Sequence, residues 1–332
     1  MSSTHHPGRL LVGAGMFGVA ALAQVGVAQV GVAHAESTGG VAAGHASDSC
    51  DPLVEFSSAT FSEPTRIDNE FLPMTPGTRL TYRGTITEGG DTVTHEVVFT
   101  VTDLVKDVAG VRTRVIYDLD LNDGEVAEAE LAFFAQDDEG NVWNLGEYPE
   151  EYDAGVFTGA PDVWIAGLEG AVPGIHMPAD PEELVGGPEY LQGEAPAIDF
   201  LDCARVAATG GTVDVPAGHF SDVLTTYERS PLESTTALQT KEHAPGVGIV
   251  RIGALDDPEG ETLELVAIDT LGPSERARVD AAAFKLDAHG HLVSDVYSRT
   301  DRVRLALEDL VGNGRNGNGH RPARQWKENE DG

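Results

Sequence analysis

The chain has 332 residues, with 55 Asp and Glu against 21 Lys and Arg, a formal net charge of −34. A field of that sign repels phosphate backbones and anionic lipid headgroups, which argues against nucleic acid and membrane surfaces as partners. It favours cations and solubility, and as a bulk property it describes a solvated exterior.

The first residues carry one fixed positive charge, Arg9, and a mostly apolar run follows over residues 10–23, then a doubled QVGVA unit and the small-residue stretch Ala33-His34-Ala35. The run is too short to span a bilayer as a helix. The pattern reads as a secretory signal peptide, residues 1–35, with a retained N-terminal anchor as the alternative and no stable membrane insertion after cleavage. Cys50 lacks the preceding apolar and small residues that lipid attachment requires. Residues 36–60, rich in Gly, Ala and Ser at their start, read as a flexible leader. Cys50 and Cys203 are the only cysteines. In an exported chain the pair predicts one disulfide, ahead of free thiols or a metal site.

A β domain is predicted over residues 61–272. Residues 78–87 alternate, with Leu80, Tyr82 and Ile86 on one face, and after Gly89-Gly90 the alternation resumes at Val93, His95, Val97, Phe99 and Val101. Two alternating runs about a Gly-Gly turn are a hairpin. A second hairpin runs from Val111 through Asn122-Asp123-Gly124 to Phe133, with Val115, Tyr117, Leu119, Leu121 and then Ala127, Ala129, Leu131, Phe133 on its apolar face. The Asp-Gly pair suits a turn needing positive φ. Another strand starts at Val142. Residues 146–193 are thick with Pro, Gly and Glu and read as a long central loop or a cover over the sheet. Strand signals return at residues 211–215, 223–228, 237–243, 247–252 and 262–268. The fold class is therefore mainly β, an antiparallel meander, half-barrel or barrel-like sheet. A C-terminal helical extension is expected over residues 273–311, its helix near residues 298–311, where Val303, Leu307, Leu310 and Val311 recur at helical spacing. Residues 312–332 read as a disordered tail.

Several phrases together carry a resemblance. FLPMTPGTRLTYRG, AQDDEGNVWNLGE, GAVPGIHMPADP, VPAGHFSDVLTTYERSPLE and EHAPGVGIV resemble segments of a group of exported bacterial β-rich proteins with an FPLxPGTxxxYxG opening and an AQDxxGNVWxxGE segment. The likeness spans roughly residues 71–250. It implies location and fold, and it carries no catalytic residue across. A more distant similarity runs to half-barrel lipid-carrier and lipocalin-like folds.

The chemical constellations are few. Asp118 to Gly124 has alternating oxygens before a Gly, but the Gly falls one position late for an EF-hand loop, so an acidic strand-turn-strand is expected. In the central segment, Trp143, Glu147, Tyr148, Tyr152 and Trp164 bring aromatic faces and carboxylates close together, with Glu150, Glu151 and Asp153 nearby. They are the candidate ligand-binding residues, suited to a sugar or a cation. Aromatics sealing the segment onto the sheet are the plainer reading. Paired carboxylates there could instead serve a hydrolase. His95 sits on the apolar face of its strand, as a core histidine would. His176, His219 and His243 are far apart in sequence, and His289 and His291 lack a third ligand at zinc spacing. No Gly-x-Ser-x-Gly elbow, HExxH or phosphate loop is present. No catalytic residue, metal or cofactor is expected. The sequence points to a secreted acidic β-protein that is non-catalytic and binds a small-molecule or cell-envelope ligand. The alternative is an extracellular hydrolase of carbohydrate or ester using the central-segment carboxylates.

Overall fold

The computed structural model describes residues 49–88, 90–232, 237–257 and 260–306. The expected signal peptide, the leader up to residue 48 and the C-terminal tail lie outside them. In chain order the strands are β1 (Thr78–Glu88), β2 (Asp91–Val108), β3 (Val111–Asn122), β4 (Glu125–Gln136), β5 (Val142–Asp153), β6 (Val156–Gly159), β7 (Trp164–Ile165), β8 (Val172–Met177), β9 (Tyr190–Ala195), β10 (Phe200–Val215), β11 (Gly218–Arg229), β12 (Leu238–Ala244), β13 (Gly248–Leu255) and β14 (Thr262–Thr270). Helix α1 (Pro273–Val293) and the short β15 (Arg304–Leu305) follow.

Twelve strands form one closed antiparallel barrel in the order β1-β2-β3-β4-β5-β8-β9-β10-β11-β12-β13-β14. The ring shuts where β1 pairs with β14, from Thr78 opposite Thr270 to Thr85 opposite Thr262, while its other edge pairs with β2. β6 and β7 attach to β5, and β15 attaches to β2. Closure leaves the ring without an unpaired edge. Each wall strand presents alternate residues to the lumen.

One end of the lumen is apolar. Tyr82 faces Val97 and Leu80 faces Phe99 across the β1–β2 ladder, and Ile116, Phe134, Val206, Leu224, Ile252 and Leu265 join them in one buried cluster. The Tyr82 hydroxyl donates to the Ile249 carbonyl at 2.8 Å. The segment before β1 plugs this end with Ile67, Phe71, Leu72 and Met74. Asn69 holds the plug: its amide donates to the Gly140 and Pro178 carbonyls, and its side-chain oxygen accepts from the backbone N–H groups of Phe71 and Leu72.

A second apolar layer lies outside the barrel. Leu104, Val115, Leu131, Phe133, Trp143, Leu145 and Tyr148 are buried there beneath α1 residues Ala283 and Leu286 and beneath Tyr297. The region read as leader contributes too. Phe56 sits edge-on to Trp143 at 5.4 Å, and Cys50 is bonded to Cys203.

Two expectations are corrected. Residues 146–193 are not one long loop: they hold the rest of β5 and the wall strands β8 and β9, with the short β6 and β7 attached to β5. Their glycines mark close backbone approach. A Cβ on Gly174 would lie 2.3 Å from the Gln192 carbonyl carbon, and one on Gly146 (φ +143°) 2.6 Å from the Trp164 carbonyl oxygen. Both positions exclude any larger residue.

The helix is the second correction. It spans Pro273–Val293, while residues 298–305 hold the end of a 3-10 turn and β15; residues 307–311 lie outside the described set. Its buried positions, Val279, Asp280, Ala283, Leu286, Asp287 and Gly290, recur at helical spacing, but half of them are polar or glycine. Arg276 makes an ion pair with Asp103, and Asp280 accepts the Asp103 backbone N–H. Lys106 is wholly buried against Asp287 at 3.4 Å, with its ammonium 4.2 Å from the Tyr297 ring. A helix docked by charge leaves no apolar stripe to read.

Cys203→Ser should lower unfolding stability by about 2–4 kcal/mol, read by urea denaturation, because the bridge closes a long loop in the unfolded chain. Lys106→Met removes the buried ammonium from Asp287, leaving that carboxylate to the Tyr297 hydroxyl, the Val303 N–H and the half-exposed Arg302. It should cost about 3–5 kcal/mol and raise amide exchange along α1 before the barrel strands exchange.

Candidate functional site

The five aromatic and acidic residues singled out in the central segment do not share a cleft. Trp143 lies on the outer face, its indole N–H donating to Asp137 at 2.8 Å. Tyr148 and Tyr152 also face outward, both hydroxyls donating to Glu150, whose first oxygen lies 2.7 Å from His289 Nδ1 on α1. Glu147 takes the inward side of β5, accepting from Asn144 at 2.6 Å and from the Trp164 indole N–H at 3.0 Å. Trp164 stacks on Phe200. Glu147 and Glu150 therefore lie on opposite faces of one strand, while Glu151 shares the inward side with Glu147 and sits opposite Glu128 on β4.

The concentration of polar groups lies in the lumen, at the end away from the plug. On β3 and β4 the register sets Asp118 opposite Glu130 and Asp120 opposite Glu128, a two-by-two array of carboxylates on adjacent strands. None of the four is more than 5% exposed. Glu147 follows on β5. Across the lumen, Glu228 on β11 pairs with Lys241 on β12 at 2.6 Å, both almost wholly buried. Glu261 accepts from the Gln239 amide at 2.6 Å and lies 3.2 Å from His95 Nε2. His95 in turn lies 2.6 Å from Asn122 through Nδ1.

The expected strand-turn-strand at Asp118–Gly124 is present, and its acids face the lumen. Its apolar partners Val115, Leu131 and Phe133 face outward into the layer beneath α1, so the carboxylates turn inward. Sequence alternation alone could not tell which side of β3 and β4 was the lumen.

Electrostatics follow from the burial. Burial raises the Asp118 carboxyl to about 7. Asp120, Glu128 and Glu130 are pushed well above the ordinary range, by burial first and then by neighbouring carboxylates. Glu228 goes the other way: burial alone would raise it, but Lys241 beside it brings it down. For His95, burial opposes the charge, yet the Glu261 contact and the Asp120 charge raise it to about 9. His176 and His243 are also buried, and burial lowers them to about 3 and 4. The fold thus gathers histidines that the sequence scatters, while His219 stays exposed beside Asp214. Among the described residues, no three His, Cys, Asp or Glu side chains converge as a metal site would require.

The array is short of donors. Asp118 Oδ2, Asp120 Oδ2, Glu130 Oε1 and Gln239 Oε1 are buried without a hydrogen-bond partner. Like charges directly opposite on neighbouring strands destabilise a sheet, and buried acceptors without donors carry a desolvation penalty. These residues fit a positively charged, donor-rich guest.

A pH prediction follows. His95 titrates near 9 folded and near 6.5 unfolded, so its stabilisation is full below pH 6.5 and is lost as pH rises. Asp118, raised to about 7, adds the same sign up to that pH. His176 and His243 act below pH 6.5 with the opposite sign, and Lys106, lowered to about 8, acts only above that value. Between pH 6.5 and 8 the loss of the His95 contribution should by itself lower unfolding free energy by about 2 kcal/mol, with the raised Asp120, Glu128 and Glu130 acting in the same direction, measured by denaturant titration at each pH. His95→Gln should flatten the profile.

No family model and no curated protein matches the chain. Two solved structures align with it. One, from Bacteroides fragilis NCTC 9343, is described as exported with a YmcC-like fold; it is 15% identical, covers 60% of this chain and 99% of its own, and has a TM-score of 0.34. The other, from Parabacteroides distasonis ATCC 8503, is described as a lipoprotein, with 15% identity, the same coverage and a TM-score of 0.29. At those scores the likeness carries no weight for function, and the barrel's chemistry rests on this chain's own residues.

Proposed function

We propose that the protein is an exported, non-catalytic binding barrel that holds a positively charged ligand in the acid-lined end of its lumen. Export rests on the N-terminal signal pattern and fits the Cys50–Cys203 bridge, which belongs in an oxidising compartment. The likeness to exported bacterial β-rich proteins points the same way. The observation that carries the binding role is the buried array of Asp118, Asp120, Glu128 and Glu130, paired carboxylate to carboxylate. A fold that needed only stability would fill these positions with apolar side chains, as it does at the plugged end. Retaining four acids there sacrifices stability for an electrostatic site.

The test compares stability with occupancy. In protein unfolded and refolded to strip any guest, Asp120→Asn should raise unfolding free energy at pH 7 by about 1–3 kcal/mol, since burying this carboxyl demands either a desolvated charge or uptake of a proton, and a neutral amide demands neither. Native mass spectrometry of protein from its own secretion medium should find a co-purifying cationic species on the wild type and less of it on the variant. Loss of stability in Asp120→Asn would instead make the carboxylate a structural partner and remove the basis of the proposal.

A further inference from the structure

We infer that the groove between α1 and the outer face of β1–β3 is a separate binding site, one that takes a monocarboxylate carried on an apolar chain. It lies outside the barrel and is independent of the acid-lined lumen.

Strand register builds the wall side. Leu80, Phe99 and Ile116 point into the lumen, so their neighbours Arg79, Thr100 and Tyr117 point out. The ladders set Arg79 opposite Thr100 and Thr100 opposite Tyr117, one outward row across three strands. Between this row and the first turns of α1 lies a groove of about 280 Å³. Val98 and Leu119 on the wall and Ala282 on the helix line it half-buried, and the buried Val279 completes an apolar floor. A hydrocarbon guest would cover the surface they still expose.

The charges supply an independent observation. Arg79 from the wall and Arg278 from the helix both line the groove, and neither makes an ion pair or hydrogen bond among the described residues. That is unexpected in a chain with 55 acidic side chains against 21 basic ones. Asp269 stands opposite Arg79 on β14 without pairing with it. Glu275, also at the groove, accepts the Gly272 N–H at 3.3 Å and caps α1. Arg79 Nε is buried with no acceptor, and a buried donor left unpaired is costly. The Tyr117 hydroxyl is a further donor without a partner among the described residues. A guanidinium fork matches the two oxygens of a carboxylate. Two such cations and a phenol beside an apolar floor complement an acid head on a hydrocarbon body. The negative field of the whole chain repels polyanions, whereas a single carboxylate meets the local pair of cations within a Debye length.

Calorimetry of the full chain with octanoate, n-octanol, acetate and inorganic phosphate tests the inference. Octanoate should bind about ten-fold more tightly than n-octanol, the worth of one charge-assisted hydrogen bond, with acetate and phosphate weaker still. Arg278→Gln, at an exposed position, and Arg79→Gln should each remove that advantage while leaving n-octanol binding within about two-fold, which shows the groove intact. Equal affinity for octanoate and n-octanol reduces the groove to an apolar patch and overturns the carboxylate. Phosphate or acetate binding as tightly as octanoate marks a bare anion site. Octanoate binding that neither arginine variant moves lies elsewhere, and loss of n-octanol together with octanoate in both variants makes the arginines structural. Each of these outcomes overturns the inference, as does octanoate failing to bind.

Discussion

Closure of the sheet is the constraint on which the rest depends. Once β1 pairs with β14 as well as β2, every residue on one side of twelve strands is committed to a bounded interior. Position in the ring, not the character of the side chain, then decides what is desolvated. At the plugged end that commitment is met by Tyr82, Phe99, Phe134 and their neighbours, which bury apolar area in the ordinary way. At the other end the same commitment falls on Asp118, Asp120, Glu128 and Glu130, and the surroundings supply too few cations and donors for them. The two ends share one architecture and opposite chemistry.

The outer layer answers a different problem. Strands β2 to β5 carry apolar residues on both faces, so their outer side needs a cover. α1, Tyr297 and the segment around Phe56 provide it. The cover is fixed by a few ionic contacts, the buried Lys106 with Asp287 and the partly exposed Arg276 with Asp103, which set where the helix lies along the wall. Such contacts are directional where apolar packing is not. They also explain why a helix of modest amphipathicity can be held in one register.

Burial and pairing together account for the site's chemistry. Glu228, beside Lys241, is held in its charged form, while Asp120 and Glu128, in the same lumen, are driven towards their neutral forms by burial first and by neighbouring acids second. His95 keeps its charge through Glu261 and Asp120 despite deep burial. One interior thus contains a settled ion pair and an unsettled carboxylate array.

The strand content, the hairpins through Phe133 and the disulfide were legible in the chain, because period-two alternation, turn residues and cysteine count are local properties. Leu80, Tyr82, Val97 and Phe99 could be read as buried in one face, as could Leu131 and Phe133. That the first four enter the lumen and the last two the outer layer could not be read, since alternation is symmetric between the faces of a strand covered on both. The helix was misplaced because its docked face carries Asp280, Asp287 and Gly290, and strands β8 and β9 were missed because glycines such as Gly174, needed for close backbone approach, read as turns. Sequence determined which segments extend and where they bend. Tertiary structure decided which side of each strand became the inside, because that choice is made only when the last strand pairs with the first.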